Sequence, residues 1–311
     1  MAGINVYCFL NCSLLAWSYL CLSAAAGSQV RNIFILAGQS NMAGRGGVVR
    51  NARTGVASWD GVVPEICRSN PAILRLNAEL DWVEAEEPLG QDIDVHTTCG
   101  VGPGMAFANT LLQMDPGIGV VGLVPCAVGG TSITEWARGG SLYSRMVKRA
   151  LASVQYGGRI QGVLWYQGES DTINREDADR YKGRLEKFFM ELRDDLQSPA
   201  LPIIQVAIAS GMGPYVDTVR HAQLGIDLVN VLTVDAKGLP FEPDMLHLST
   251  PAEARLGEML AHYFFQFLPP PPQSPKPHHS LLSGGSSTSH SLYRFCWFIL
   301  AISLAIQKLV E

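Results

Sequence analysis

Apolar and polar positions fall in blocks along this chain, and five short blocks are predominantly apolar. Residues 33–36, Ile-Phe-Ile-Leu, run into Ala37-Gly38 and then the polar trio Gln39-Ser40-Asn41. Residues 119–125, 160–166, 202–208 and 229–234 repeat the pattern, each ending near Gly, Pro or a polar cluster. Runs of this length and ending predict strands buried on both faces, as in a parallel sheet. Between them, apolar residues recur at helical spacing. Met105, Ala108, Leu111 and Leu112 follow Pro103-Gly104; Tyr143, Met146, Val147, Ala150, Leu151 and Val154 form a second stripe. Tyr181, Leu185, Phe188, Phe189, Leu192 and Leu196 form a third, and a shorter helix is expected over 218–228. Thr250-Pro251-Ala252-Glu253 reads as a capping box with Pro at the first helical position, opening a last helix to about Phe267. The order predicts an α/β fold: three layers, α/β/α, around a central five-stranded parallel sheet of flavodoxin-like type. Residues 48–101 are polar, rich in Gly, Pro, Asp and Glu, and aperiodic. They are expected to be loop with short elements, the usual form of a binding loop or lid.

Polar clusters stand just after the predicted strands. Ser40 follows the first, Gly129-Gly130 the second, the stretch from Gln167 to Asp171 the third, and Asp244-Met245-Leu246-His247 the fifth. Parallel strands place their C-terminal ends on one edge of a sheet, where ligands bind. A serine hydroxyl becomes an effective nucleophile when an imidazole takes its proton and a carboxylate fixes that imidazole. Asp244 and His247 can supply both groups from one turn, and Ser40 lies on the same edge. Alternatively, Asp244 caps a turn and His247 is a surface histidine. His96, in the insertion, and His221 and His262, on helical patterns, are poorer candidates for a base. Acyl transfer also needs donors for a developing oxyanion. The N–H groups of Gly129 and Gly130 and the amide of Gln167 are candidates, although the same residues could simply brace turns.

Composition narrows the partners. Lys276, Arg294, Lys308 and Glu311 lie beyond residue 268, so the region before it holds 20 basic and 27 acidic residues, a balance of −7. No basic run occurs, which argues against nucleic acid as a partner. Cys67, Cys99 and Cys126 are the cysteines of the central region. Their spacing suggests no zinc site. In an oxidising compartment Cys67–Cys99 is the plausible bridge, both falling in loop-like sequence, with Cys126 a buried thiol in a strand.

Four blocks carry a resemblance. GQSNMAGRG, AVGGTSITEW, WYQGESD and DMLHLS, in this order, resemble the sialate-O-acetylesterase-type branch (carbohydrate esterase family 6-like) of the SGNH/GDSL hydrolases, with its plant carbohydrate esterases. The resemblance spans about residues 32–267. It implies the SGNH hydrolase fold, Ser40 as nucleophile, Asp244 and His247 as acid and base, and an oxyanion hole from the Ser40 N–H, Gly129 and Gln167. The asparagine usual in the third block of the wider superfamily is replaced here by the Gln of QGES. The implied activity is a serine esterase removing acyl groups, acetyl foremost, from the hydroxyls of an acylated carbohydrate, with no metal and no organic cofactor. Two other readings stay open: a catalytically silent carbohydrate-binding protein on this fold, and a lipid or small-ester esterase. A nucleotide binder is disfavoured because no G-x-G-x-x-G follows a strand.

The ends of the chain are not domain-like. Residues 1–27 lack Lys, Arg, Asp and Glu and close on Ser23-Ala24-Ala25-Ala26-Gly27, which predicts a secretory signal peptide. Residues 28–268 are expected to form the esterase domain that the resemblance implies. Residues 269–287 begin with four prolines and turn to Ser and Gly, a linker composition. Residues 288–311 bring a short polar spacer and an apolar stretch over 295–306. Small residues, spacer and apolar tail in that order predict a glycolipid (GPI) anchor signal, and so membrane attachment through the tail at the cell surface. A tail-anchored helix is the competing reading.

Overall fold

The computed structural model describes residues 31–155 and 157–268. The predicted signal peptide, the proline-rich linker and the C-terminal tail lie outside the described residues. The five apolar blocks are strands, and the helical stripes are helices. β1 (Asn32–Gly38) is followed by α1 (Ser40–Ala43), the hairpin β2 (Val48–Arg50) and β3 (Ala57–Trp59), then β4 (Ile73–Leu76) and β5 (Trp82–Glu84). The chain continues through α2 (Pro103–Met114), β6 (Val121–Pro125), α3 (Ser141–Ser153), β7 (Arg159–Tyr166) and α4 (Arg175–Asp195). It closes with β8 (Ile203–Ala207), α5 (Val216–Leu224), β9 (Val231–Asp235) and α6 (Thr250–Phe264).

The main sheet has seven strands, ordered β5-β4-β6-β1-β7-β8-β9, and not the five expected. The two extra strands come from the insertion. β4 pairs parallel with β6, while β5 returns antiparallel along β4 as the edge. Both are short, four and three residues, and Arg75 interrupts the apolar face of β4. Such segments form because a neighbouring strand offers hydrogen bonds, not because of their own pattern. β1 is central. It pairs with β6 on one side and β7 on the other, both parallel. The chain first builds outward on the β6 side and then on the β7 side, so the order reverses at β1. In open α/β sheets that switch point opens a crevice at the carboxyl ends of the strands.

Helices cover both faces. On one, Phe34 of β1 meets Phe107 of α2 and Phe264 of α6 edge-to-face, each pair 4.9 Å between centroids. On the other, Trp165 of β7 packs on Phe188 of α4 at 4.6 Å and on Trp136 at 5.3 Å. These rings are all buried, and aromatic pairs of this geometry contribute about 1 kcal/mol each beyond their burial. The two clusters hold β1 and β7 rigid where the polar turns begin. Cys67, Cys99 and Cys126 are buried free thiols, so the expected Cys67–Cys99 bridge does not form. Cys99 Sγ instead accepts a hydrogen bond from Arg45 at 3.5 Å, and burial pushes the Cys67 thiol well above its ordinary range.

Candidate active site

β1 ends at Gly38 because nothing larger fits. Its φ is +128°, and a Cβ there would lie 2.0 Å from Tyr166 O. The next N–H, of Gln39, donates to that same carbonyl at 2.8 Å. Ser40 then begins the single turn of α1, nearly buried, with its hydroxyl at the switch point. His247 arrives from the far side of the sheet, on the segment after β9. That segment is pinned by the Phe241–Leu248 bridge and by the Glu242 N–H donating to His247 O at 2.7 Å.

The three residues expected to act together do meet. His247 Nε2 is 3.0 Å from Ser40 Oγ, and His247 Nδ1 is 2.7 Å from Asp244 Oδ2. The other carboxylate oxygen, Oδ1, accepts the N–H groups of Leu246 and His247, each at 2.9 Å. Asp244 therefore caps the turn and orients the imidazole at once. Met245, between them, adopts φ +58° to let the turn close. Burial opposes ionisation of Asp244, but the two N–H groups and the His247 ring outweigh it and hold the carboxyl below its ordinary range. His221 lies apart, its Nδ1 against Asp217 O within its own helix.

Asn41 and Gln39, flanking the serine, do work that their sequence position did not disclose. Asn41 Oδ1 accepts the Leu248 N–H at 3.0 Å, and its Nδ2 donates to Glu169 Oε1 at 2.7 Å. One side chain thus ties the loops after β1, β7 and β9 together. Gln39 Oε1 faces three donors: Gln167 Nε2 at 3.2 Å, Gly168 N at 3.3 Å and Ser170 N at 3.5 Å. Those donors fix which end of the amide faces inward. Its Nε2 meets no acceptor among the described residues, nor is it among the sealed atoms left without a partner. The main-chain N–H of the next residue, Ser40, is also without an acceptor among the described residues.

The two other expected oxyanion donors are engaged elsewhere. Gln167 is wholly buried, and its Nε2 donates to Asp171 Oδ2 at 2.6 Å, to Thr131 O at 2.9 Å and to Gln39. Tyr181 OH covers the opposite end of the Gln167 amide at 3.0 Å. An NH2 group has two hydrogens, and both are spent inside the protein. Gln167 braces Gln39 and does not itself face the site. Gly129 does border Ser40: a Cβ on it would lie 3.5 Å from Ser40 Cβ and 2.5 Å from Arg45 Nη2. Its N–H, however, donates to Asp94 Oδ2 at 3.0 Å. Asp94 comes from the insertion and pairs with the buried Arg45 of the GQSNMAGRG block. The same block thus holds Ser40, both amides and the cation that docks the insertion. Glu169 and Asp171, without a role in the sequence, are structural acceptors; burial raises Glu169 to about 7 and Asp171 to about 6.

The sequence profile of the family described as carbohydrate esterase, sialic acid-specific acetylesterase, matches residues 30–266. The chain belongs to this carbohydrate esterase family. Across 233 residues it is 55% identical to a probable carbohydrate esterase of Arabidopsis thaliana, covering 75% of this chain and 89% of that one. The crystal structure of an Arabidopsis thaliana protein superposes with a TM-score of 0.74 at 54% identity, over 76% of this chain and 99% of the other. NanS shares the fold at a TM-score of 0.62 and 18% identity, over 77% of this chain and 98% of its own. The α/β sheet of this chain, with helices on both sides, is thus the fold of these two solved structures as well.

Proposed function

We propose that this carbohydrate esterase is a serine esterase that removes acetyl groups from sugar hydroxyls through Ser40, His247 and Asp244. The observation that carries the reading is the unbroken relay from Asp244 Oδ2 through the imidazole to Ser40 Oγ, with contacts of 2.7 and 3.0 Å. Ser40 Oγ attacks the ester carbonyl as His247 Nε2 takes its proton, and Asp244 stabilises the imidazolium that forms. The Ser40 N–H and Gln39 Nε2 receive the oxyanion. His247 then returns the proton to the departing sugar hydroxyl, leaving acetyl on Ser40. Water, activated by the same imidazole, releases acetate. Every proton in this sequence moves through His247, so the chemistry calls for neither metal nor organic cofactor.

Ser40→Ala is the deciding variant. The wild type should release acetate from acetylated oligosaccharides and from p-nitrophenyl acetate, and Ser40→Ala should do neither while keeping its circular dichroism. An inert wild type that still binds the sugars would favour the silent binding protein. Hydrolysis confined to long-chain esters would favour the lipid esterase.

We also assign residues 1–27 to a secretory leader and 283–306 to a glycolipid anchor signal, which places the enzyme at the cell surface. Release of activity from membranes by a phosphatidylinositol-specific phospholipase tests this. Protein that stays bound and keeps its 295–306 peptide overturns it.

A further inference from the structure

We propose that a cationic cleft beside the catalytic edge is a subsite for the carboxylate of an acidic sugar unit, so that the preferred substrate is an acetylated uronate-containing glycan. The proposal rests on the esterase reading and extends it to the neighbouring sugar.

The cleft has a volume of about 240 Å³ and is lined by Asp92, Ile93, Arg145, Lys148 and Arg149, among others. Arg149 fixes its position in the fold. Its buried guanidinium donates to Pro125 O at 2.9 Å, at the end of β6, and to Leu76 O at 2.6 Å and Asn77 O at 2.8 Å, at the end of β4. The cleft therefore sits at the carboxyl ends of these strands, the edge that holds Ser40. The residue after Ile93 is Asp94, whose carboxylate receives the Gly129 N–H next to Ser40. The cleft wall at Ile93 is thus linked to Ser40 through Asp94 and Gly129. A glycan bound at Ser40 and running along this edge would pass over the cleft.

The charge is uncommitted. Arg145 and Lys148 are exposed and enter no ion pair among the described residues. α3 contains no acidic residue to neutralise them. Asp92, the carboxylate within the cleft, is occupied by Arg75 and by the Ala78 N–H at 2.9 Å. The cations of α4 behave differently. Arg175, Arg180, Lys182 and Lys187 each pair one turn away. The cleft of about 230 Å³ against α4 is lined by Arg138, Arg184 and Lys187, and all three are matched by acids. In a domain with a balance of −7, two free cations in a cleft on the strand edge that holds Ser40 select for negative charge. A uronate carboxylate suits them because Arg can bind it through two parallel hydrogen bonds.

The test uses acetylated polygalacturonate, the same polymer methyl-esterified at its carboxyls, and acetylated xylan free of uronate. The wild type should favour the charged polymer by about tenfold in kcat/KM, the yield of two exposed ion pairs. Arg145→Ala/Lys148→Ala should lose that factor through KM, with kcat kept and the two neutral polymers unaffected. Equal use of charged and methyl-esterified polymer, or equal loss on all three, overturns the subsite. Calorimetry of unacetylated oligogalacturonate against Ser40→Ala, with and without the two cation substitutions, separates the readings. If the wild type hydrolyses nothing yet that binding weakens about tenfold, the subsite stands and the esterase reading falls.

Discussion

Replacing Gln39 by Glu changes one atom of consequence. The variant keeps Oε1, so the Gln167 amide and the Gly168 and Ser170 N–H groups retain their acceptor. The unpartnered Nε2, the proposed oxyanion donor, becomes a carboxylate oxygen. Losing one preorganised oxyanion donor costs about 3 kcal/mol, two to three orders of magnitude in kcat. A carboxylate aimed at the developing oxyanion adds repulsion. Two unit charges about 4 Å apart at an effective dielectric of about 20 contribute about 4 kcal/mol more. Turnover should therefore fall by at least about 10³-fold, with KM for p-nitrophenyl acetate nearly unchanged, because the donor acts only once charge has formed. Gln167→Met provides the contrast. It strips buried Asp171 of a partner and Gln39 of a brace, so the melting temperature should drop while the folded enzyme keeps kcat within about tenfold. Steady-state kinetics on both variants, each checked by thermal melting, decide the matter. A Gln39→Glu enzyme within tenfold of wild type, or a folded Gln167→Met enzyme that is dead, would refute the assignment of the side-chain donor.

Other perturbations follow from the same geometry. Ser40→Ala, His247→Ala and the double variant should lose about the same activity, since members of one catalytic unit do not add; a double variant far below either single one would break the relay. Asn41→Ala removes the tie between Leu248 and Glu169, and should lower kcat while raising amide exchange at Leu248; exchange left unchanged would mean the loop holds itself. Burial raises the Glu87 carboxyl from 4.5 to about 8, so above pH 4.5 the unfolded chain gives up a proton that the fold retains. Stability from this group is intact below pH 4.5 and is lost as pH climbs toward 8, by about 3 kcal/mol at pH 7. Glu87→Gln should match wild type near pH 4 and exceed it increasingly through pH 5–8 in urea titrations; a gap independent of pH contradicts this.

The meeting of Ser40, His247 and Asp244 was legible because each follows a strand with a strong apolar pattern, and parallel topology brings strand ends together. β4 and β5 were not, because strands of four and three residues owe their form to β6 and to each other. The internal engagement of the Gln167 amide was hidden for a subtler reason. Gln39 and Gln167 both lie at strand ends, and only the hydrogen bonds around them show which amide nitrogen faces outward. A sequence gives the residue but not the orientation of its amide. Asp94 was hidden too, since nothing local marks one acid among the many of the insertion as the partner of Arg45.

Ser40 and His247 meet across 207 positions of chain, as do Asn41 and Leu248. β1 is among the first segments to leave a ribosome, whereas the segment bearing His247 follows every other strand. The Ser40–His247 contact cannot form until the last strand has joined the sheet, so under the proposed mechanism a nascent chain cannot deacylate anything on its way out. Contacts this distant form late, because loop closure must precede them. In refolding, the fluorescence of buried Trp136 and Trp165, which pack within residues 136–188, should recover before activity does. Hydrolysis is then a direct gauge of complete assembly.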